Sequence, residues 1–295
     1  MTRTLTATPV GDHRAHLGEG PRWDAERQRL LYVDIEGGAV LAHDPATATT
    51  RVLFHHDDYV TAVHPHRDGR LLVGLRAGLG VWDEGRPDRP PTLAVAIQAD
   101  DDRLRCNDAT VAPDGAVWIG TMHLDDAEGA ARLYRIAADG EARPQRGGLT
   151  ISNGLGFSPD GRLLYHADTP TGRVDVLVLA ADGDSIDDVR RFVSLPDAAG
   201  QPDGLTVDAE GGVWVALWSG GTVCRFTPDG ALDMMVEVPA SHTTSCAFGG
   251  ADLTTLYITT GGPEVGGRGE AAGALFTAEV GVTGLPSPAA AVALA

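Results

Sequence analysis

The sequence predicts an all-β fold, a six-bladed β-propeller with four antiparallel strands per blade around a central channel. The first observation is an internal repeat, in which a polar residue stands four positions ahead of an apolar residue. The polar members are Glu19, Tyr59, Asn107, Asn153, Asp203 and Thr244, and the apolar members are Trp23, Val63, Val111, Phe157, Val207 and Phe248. Both series advance by 40, 48, 46, 50 and 41 residues. A period of this length is typical of propeller blades.

The second observation is the supply of turn residues. The 295 residues include 38 glycines and 18 prolines, which suit tight turns between short strands better than a helical bundle. In each repeat the innermost strand is predicted to start just after the polar residue and to turn at an Asp-Gly or Gly-Gly corner, as at Asp114-Gly115. Glycine accepts a positive φ at such corners without steric cost.

The remaining strands follow in order within each repeat. The returning strand is apolar, as at 71–74 and 213–216, which predicts burial between neighbouring blades. Outer strands are predicted at 39–43, 132–136, 174–178, 222–226 and, for the last blade, 273–278. A strand at 4–9 is expected to pair with that last blade, because closure removes exposed sheet edges. The loop 261–273 is predicted to be irregular and exposed, and we expect one domain over 1–295.

Composition limits the classes of partner. The formal charge is −18, from 23 Lys plus Arg against 41 Asp plus Glu, which argues against nucleic acid and anionic membranes. Three cysteines without a C-x-x-C pair indicate neither a zinc knuckle nor a disulfide framework, and they fit a reduced cytosol. The sequence has no signal peptide pattern and no apolar run of membrane-spanning length. We therefore expect a cytoplasmic protein, monomeric or weakly homo-oligomeric, with a small-molecule partner.

Ring closure should bring the polar series to one mouth of the channel. Glu19 and Asp203 supply carboxylates and Asn107 and Asn153 supply carboxamides, so the series offers oxygen donors only. Such donors favour calcium, magnesium or manganese, although zinc or ferrous iron can occupy them, and we expect one divalent cation. The alternative is that these residues cap backbone groups and bind channel water. Two carboxylates brought together repel each other unless a cation or a proton compensates them.

Six segments in order resemble the SMP-30/gluconolactonase/regucalcin family: 17–21 (LGEGP), 105–108 (RCND), 120–122 (GTM), 152–155 (SNGL), 202–205 (PDGL) and 244–250 (TSCAFGG). The resemblance implies a six-bladed propeller that hydrolyses sugar lactones, with one divalent ion held by Glu19, Asn153 and Asp203. It implies that Arg105 and Asn107 contact substrate hydroxyls. Asp125 stands where relatives can place a glutamate near the substrate, although the run 123–126 resembles an insertion here.

The chemistry of lactone opening gives these residues roles. A cation near the carbonyl oxygen stabilises the negative charge that develops as water adds. Asp203 is the candidate base for that water, and the alternative is that the metal ionises the water while Asp203 only orients it. Two other functions remain open, a non-catalytic calcium-binding or small-molecule-binding propeller and a lactonase or esterase for non-sugar substrates.

Other conspicuous residues are predicted to be structural. His64 and His66 have a spacing seen in metal sites, but their place at a turn favours solvated side chains. Cys106 has no histidine at a spacing diagnostic of a nucleophile. Ser152 lacks a G-x-S-x-G context, which argues against a serine hydrolase.

Overall fold

The structure is a computed structural model that describes residues 2–294, and it confirms the all-β prediction. Within that range it contains 25 β-strands, no α-helix and three single-turn 3-10 helices, at Thr169–Thr171, Asp197–Ala199 and Pro263–Val265. Hence no helix of the described chain is long enough to cross a membrane. The strands form six sheets.

The strands follow one another as the repeat predicts. The chain opens with β1 (Arg3–Thr6) and β2 (Thr8–Val10). The first blade contains β3 (Gly18–Asp24), β4 (Arg29–Asp34), β5 (Ala39–Asp44) and β6 (Thr49–His55). The second contains β7 (Val60–Pro65), β8 (Leu71–Leu75), β9 (Gly78–Trp82) and β10 (Thr92–Ala96). The third contains β11 (Leu104–Val111), β12 (Val117–His123), β13 (Ala131–Ile136) and β14 (Ala142–Leu149).

The second half repeats the pattern. The fourth blade contains β15 (Ser152–Phe157), β16 (Leu163–Asp168), β17 (Arg173–Leu179) and β18 (Ile186–Ser194). The fifth contains β19 (Gln201–Val207), β20 (Val213–Trp218), β21 (Thr222–Phe226) and β22 (Leu232–Glu237). The sixth contains β23 (Thr243–Gly249), β24 (Thr255–Thr260) and β25 (Leu275–Glu279).

Both N-terminal strands help to close the ring, and the prediction for 4–9 is correct only in part. Strand β2 pairs antiparallel with β25 and so supplies the fourth strand of the sixth blade. Strand β1 instead pairs parallel with β22 and adds a fifth strand to the fifth blade. The segment bridges two blades because Ala7, between these strands, is buried in the apolar cluster that those blades share.

The core lies between the blades. Six apolar clusters fill the six seams between neighbouring sheets, and the cluster between the first and sixth blades unites Trp23 and Tyr32 with Tyr257. The innermost strands contact one another in ring order, β23 returning to β3. Thr244 completes this seam, because its hydroxyl donates to the carbonyl oxygen of Gly18 at 2.6 Å. The loop 261–273 contains a 3-10 turn and alternates buried with exposed residues, so it is less exposed than predicted.

Candidate metal and substrate site

A β-bulge marks every innermost strand at the register of the polar series. The pairing with the next strand shifts between Glu19 and Arg22, Val60 and Ala62, Cys106 and Ala109, Asn153 and Leu155, Pro202 and Leu205, and Thr243 and Ser245. A bulge leaves a residue unpaired and re-aims its side chain. The innermost strand starts before the polar residue in five blades. Only β7, which begins at Val60, starts just after its polar residue, Tyr59, as the sequence predicts.

Three carboxylates are buried at or next to this register. Glu19, Asp108 and Asp203 are 7%, 5% and 5% exposed. Burial raises the pKa of Glu19 to about 8, and the neighbouring Asp108 adds to the rise, although the Gly20 N–H donates to Glu19 Oε2 at 2.8 Å. Burial, followed by the charges of Glu19 and Asp108, holds the pKa of Asp203 well above its usual range. Burial also raises the pKa of Asp108 against the opposing effect of Arg22.

Asn153 lies beside Asp203 and has an amide oxygen without a partner. Its Nδ2 donates to Asp203 Oδ1 and, at 3.2 Å, to the hydroxyl of Thr169. Its Oδ1 is buried and accepts no hydrogen bond from residues 2–294. An unsatisfied buried acceptor costs free energy unless a donor or a cation meets it. This oxygen, next to two carboxylates that repel each other, fits the donor set of a divalent cation.

Within the described chain, no three His, Cys, Asp or Glu side chains are grouped so that they could hold a metal. The set expected from the sequence contains only two such residues, Glu19 and Asp203. Its third donor is the amide oxygen of Asn153. The assignment of these three residues to a metal therefore depends on the amide oxygen and on the charge of the two carboxylates.

Arg105 and Asn107 form one buried unit. Arg105 Nη1 donates to Asn107 Oδ1 at 2.7 Å and to the Cys106 carbonyl oxygen at 2.9 Å. Asn107 Nδ2 donates to the Ser152 carbonyl oxygen at 3.0 Å, which fixes which end of the amide faces Arg105. The guanidinium lies over the Tyr59 ring, 5.4 Å from its centroid. In the described chain the Nε and Nη2 atoms of Arg105 make no hydrogen bond.

Asp125 lies apart from this unit. It follows β12 in an exposed turn, and its side chain is 81% exposed. Its backbone N–H donates to His123 Nδ1 at 3.0 Å. Since Leu104 pairs with His123 and Arg105 with Met122, the turn adjoins the start of β11 and so lies at the same end of the blade as Arg105.

Asp108 is the site residue that the sequence reasoning missed. The letters Asn107-Asp108 suggest an alternating strand, in which only one of two successive side chains faces the channel. The bulge between Cys106 and Ala109 breaks that alternation. Asp108 then forms a 3.7 Å ion pair with Arg22 and raises the pKa of Glu19. The repeat marks Asn107, four residues ahead of Val111, but not Asp108, which stands three residues ahead and has no acidic counterpart at that offset in the other repeats.

Ser152 and His166 form a pair that resembles a catalytic dyad but lacks a carboxylate that would orient the histidine. Ser152 Oγ lies 2.9 Å from His166 Nε2, and both residues are buried. The other ring nitrogen faces Arg146 Nη1 at 3.2 Å rather than a carboxylate. Burial and that arginine lower the pKa of His166 to about 3, so the ring is a poor base. The prediction of a non-nucleophilic Ser152 agrees with this geometry.

Comparisons with known proteins place the chain in a family. Residues 17–262 match the family described as the SMP-30/gluconolactonase/LRE-like region. Pentonolactonase XacC of Haloferax volcanii is 36% identical, with 96% of this chain and 97% of that protein covered. The 6-deoxy-6-sulfogluconolactonase of Pseudomonas putida is 33% identical, with 82% of each chain covered. The crystal structure of a calcium-binding protein, regucalcin, from Agrobacterium tumefaciens matches with a TM-score of 0.89, 27% identity and coverage of 98% and 99%.

Proposed function

This chain belongs to the SMP-30/gluconolactonase/LRE-like family, and from that premise we propose that it is a metal-dependent hydrolase that converts an aldonolactone to the aldonic acid. The observation that carries the proposal is the buried group of Glu19, Asp203 and the unpartnered Asn153 amide oxygen, with Arg105 on the same channel. The names of the relatives support lactone hydrolysis in general.

Glu19, Asn153 and Asp203 would hold the divalent cation. When bound, such a cation acts as a Lewis acid toward the carbonyl oxygen of the lactone. An all-oxygen set favours calcium, magnesium or manganese over zinc or ferrous iron. The short contact between Asn153 Nδ2 and Asp203 Oδ1 orients the amide and holds the carboxylate.

Arg105 and Asn107 would bind the substrate. The Arg105 atoms Nε and Nη2 form part of a rigid fork of donors, which suits adjacent hydroxyl oxygens on a sugar ring. Because Nη1 is held by Asn107 Oδ1 and the Cys106 carbonyl, the fork is oriented before the substrate arrives. Asp125, on its exposed turn, would add an acceptor for an outer hydroxyl. Pre-oriented donors reduce the entropy lost on binding.

Asp203 would take the proton from the water that attacks the carbonyl carbon. The ring C–O bond of the tetrahedral adduct then breaks, and the ring oxygen leaves as a hydroxyl with the proton that Asp203 had accepted. The product is a hydroxy acid, and the Asp203 carboxylate is regenerated. Burial raises the pKa of Asp203, and a bound cation would oppose that rise, so the strength of this carboxylate as a base depends on metal loading. In the alternative, Asp203 only orients the water. Its carboxylate would then have the same position and the same hydrogen bonds, but it would not accept the proton.

We also propose that the protein is one domain in the cytoplasm. The closed ring of innermost strands and the six shared clusters support the first part. The three free, buried cysteines support the second, because reducing compartments keep thiols unpaired.

The test is metal content and lactone turnover after chelation, with calcium, magnesium, manganese, zinc and ferrous iron restored singly. A panel would contain gluconolactone, pentonolactones and a non-sugar lactone such as δ-valerolactone. We expect Glu19→Ala to lose the stoichiometric metal and most of the turnover. Equal metal content in Glu19→Ala and in the unmodified protein would contradict the site.

Two control variants separate the roles. Glu26→Ala removes an exposed carboxylate and should change neither readout. Arg105→Ala should retain the metal and lose turnover by about 10- to 100-fold, the usual worth of hydrogen bonds from a charged group. Stoichiometric metal without turnover of any lactone would support the alternative, a non-catalytic cation-binding propeller.

A further inference from the structure

The far end of the channel contains a cavity of about 350 Å³. Apolar members of the repeat line it, together with residues from the same innermost strands. The lining includes Val111, Leu155, Phe157, Leu205, Val207 and Phe248. Because each apolar member stands four residues beyond its polar partner, this cavity lies at the end of the channel opposite the carboxylates. Its volume falls in the range of small-molecule pockets.

The C-terminal segment 285–288, which we call the strap, forms part of the wall of this cavity. On one side Gly284 N donates to the Leu253 carbonyl oxygen at 2.8 Å. On the other side Ala290 N donates to the Pro65 carbonyl oxygen, also at 2.8 Å. The strap therefore crosses from the sixth blade to the second. Asp208, directly after β19, forms an isolated bridge with Gly284, and Ala209 N donates to the Thr283 carbonyl oxygen at 2.9 Å. Beyond this bridge, 286–289 makes no backbone hydrogen bond to the rest of the described chain.

Arg22 is the only residue with a formal charge at neutral pH that lines the cavity within residues 2–294. It is 8% exposed. Its Nη1 and Nη2 each donate once, to the carbonyl oxygens of Pro21 at 2.8 Å and Ala109 at 2.6 Å. A guanidinium has five N–H donors, so three remain without a hydrogen bond in the described chain. Asp108, at 3.7 Å, is an ion-pair partner but lies beyond hydrogen-bond distance.

The other polar group of interest, His64, is neutral. Its Nε2 lies 3.2 Å from the Ala109 carbonyl oxygen, which can only accept, so Nε2 carries the proton. Burial and the charge of Arg22 hold the pKa of His64 well below its usual range. The prediction of a solvated His64 is thus wrong. The residue lies within β7, before the turn begins, and its side chain is buried. No Asp or Glu lines the cavity in the described chain, although acidic residues outnumber basic ones in the sequence.

We propose that this cavity is a second binding site, for a small, mainly apolar molecule that carries one carboxylate, such as a medium-chain or aromatic monocarboxylate. The apolar walls favour the hydrocarbon part, and the free donors of Arg22 favour a carboxylate over a neutral polar group. None of Glu19, Asn153, Asp203 and Arg105 lines this cavity, so it is distinct from the proposed lactone site, although Arg22 connects the two through its ion pair with Asp108. The proposal does not depend on lactone hydrolysis.

The experiment is isothermal titration calorimetry with octanoate and, as the matched neutral probe, 1-octanol. Val207→Phe fills the cavity, and Val52→Phe makes the same substitution at an exposed position. We expect octanoate to bind the unmodified protein more tightly than octanol. Val207→Phe should weaken the affinity for octanoate by more than about 10-fold, because the phenyl ring would occupy the cavity. Val52→Phe should leave the affinity within about 2-fold of that of the unmodified protein.

Arg22→Gln tests the charge. Octanoate binding should weaken by about 10- to 100-fold, in line with the loss of a charge-assisted hydrogen bond, while octanol binding changes little. Thermal unfolding shows whether this variant is folded. If it is not folded, two comparisons still test the proposal: octanoate against octanol on the unmodified protein, and Val207→Phe against Val52→Phe. No heat with either probe, equal affinity for both, or octanoate binding that Val207→Phe leaves intact would overturn the proposal.

Discussion

Asp203 receives opposing influences at the channel mouth. The Asn153 amide donates to its carboxylate and favours the charged form, whereas burial and the nearby Glu19 and Asp108 disfavour it. Burial is the largest effect, so its pKa lies above the usual range. A cation placed among the same oxygens would reverse the balance, because an opposite charge within about 4–6 Å favours ionisation. The charge of this residue is therefore linked to metal loading.

The substitution Asp203→Asn separates the two proposed roles. It keeps an oxygen donor and the side-chain shape but removes the charge and the base. We expect metal to bind more weakly yet to load at high concentration, with lactone turnover still about 100-fold lower or more at saturation. Turnover at saturating metal, measured beside the exposed control Asp252→Asn, is the readout. Full recovery at saturation would show that Asp203 is a ligand only and that the base lies elsewhere.

The sequence identifies residues that share a register where they repeat and misses neighbours that do not repeat. Glu19, Asn107, Asn153 and Asp203 share a register, which marks them as a group in the sequence alone. Asp108 has no counterpart at the same offset in most repeats, so its place beside Glu19 could come only from the bulge in β11.

At the scale of elements, a polar chain joins the third and fourth blades across four strands. Arg146 on β14 donates to Asp175 on β17 at 2.6 Å and lies 3.2 Å from His166 on β16. His166 then donates through Nε2 to Ser152 on β15, because its other nitrogen accepts from an arginine. Ser152 in turn holds Asn107 of the neighbouring blade by its carbonyl oxygen. A buried neutral histidine thus supports the strand that presents Asn153.

This chain of contacts predicts a pH dependence of stability. The pKa of His166 is about 3 in the folded protein and about 6.5 in an unfolded chain. The unfolded state therefore binds the proton first as pH falls, and stability should decrease from about pH 6.5 toward pH 3, by on the order of 4 kcal/mol from this group. Chemical denaturation of the unmodified protein and of His166→Gln, across that range, measures it. An equal pH slope in both proteins would contradict the assignment.

At the scale of the whole molecule, both ends of the described chain hold the ring closed. Strand β2 completes the sixth blade, β1 extends the fifth, and the strap ties the sixth blade to the second. The sequence predicted closure by the N-terminal segment because strand-forming residues and an open sheet edge were both evident. The strap could not be predicted for two reasons. Its course depends on the carbonyl oxygens of Leu253 and Pro65, which are distant in sequence. Pro286 and Pro288 also interrupt any alternating pattern typical of a strand.

Ending the chain at Gly284 tests what the strap contributes to stability. The truncation exposes the pocket between the second and third blades that buries Ala290 and Val292, which are 0% and 1% exposed. It also removes the backbone bonds of 290–293, so we expect a loss of about 2–5 kcal/mol in the free energy of unfolding. Urea denaturation measures the loss, and Ser287→Ala, in the exposed part of the strap, should stay within about 0.5 kcal/mol of the unmodified protein. Equal stability of the truncated and the full chain would contradict this prediction. The ring would then be closed by β2 and by the Thr244 seam alone, and the strap would only cover the cavity.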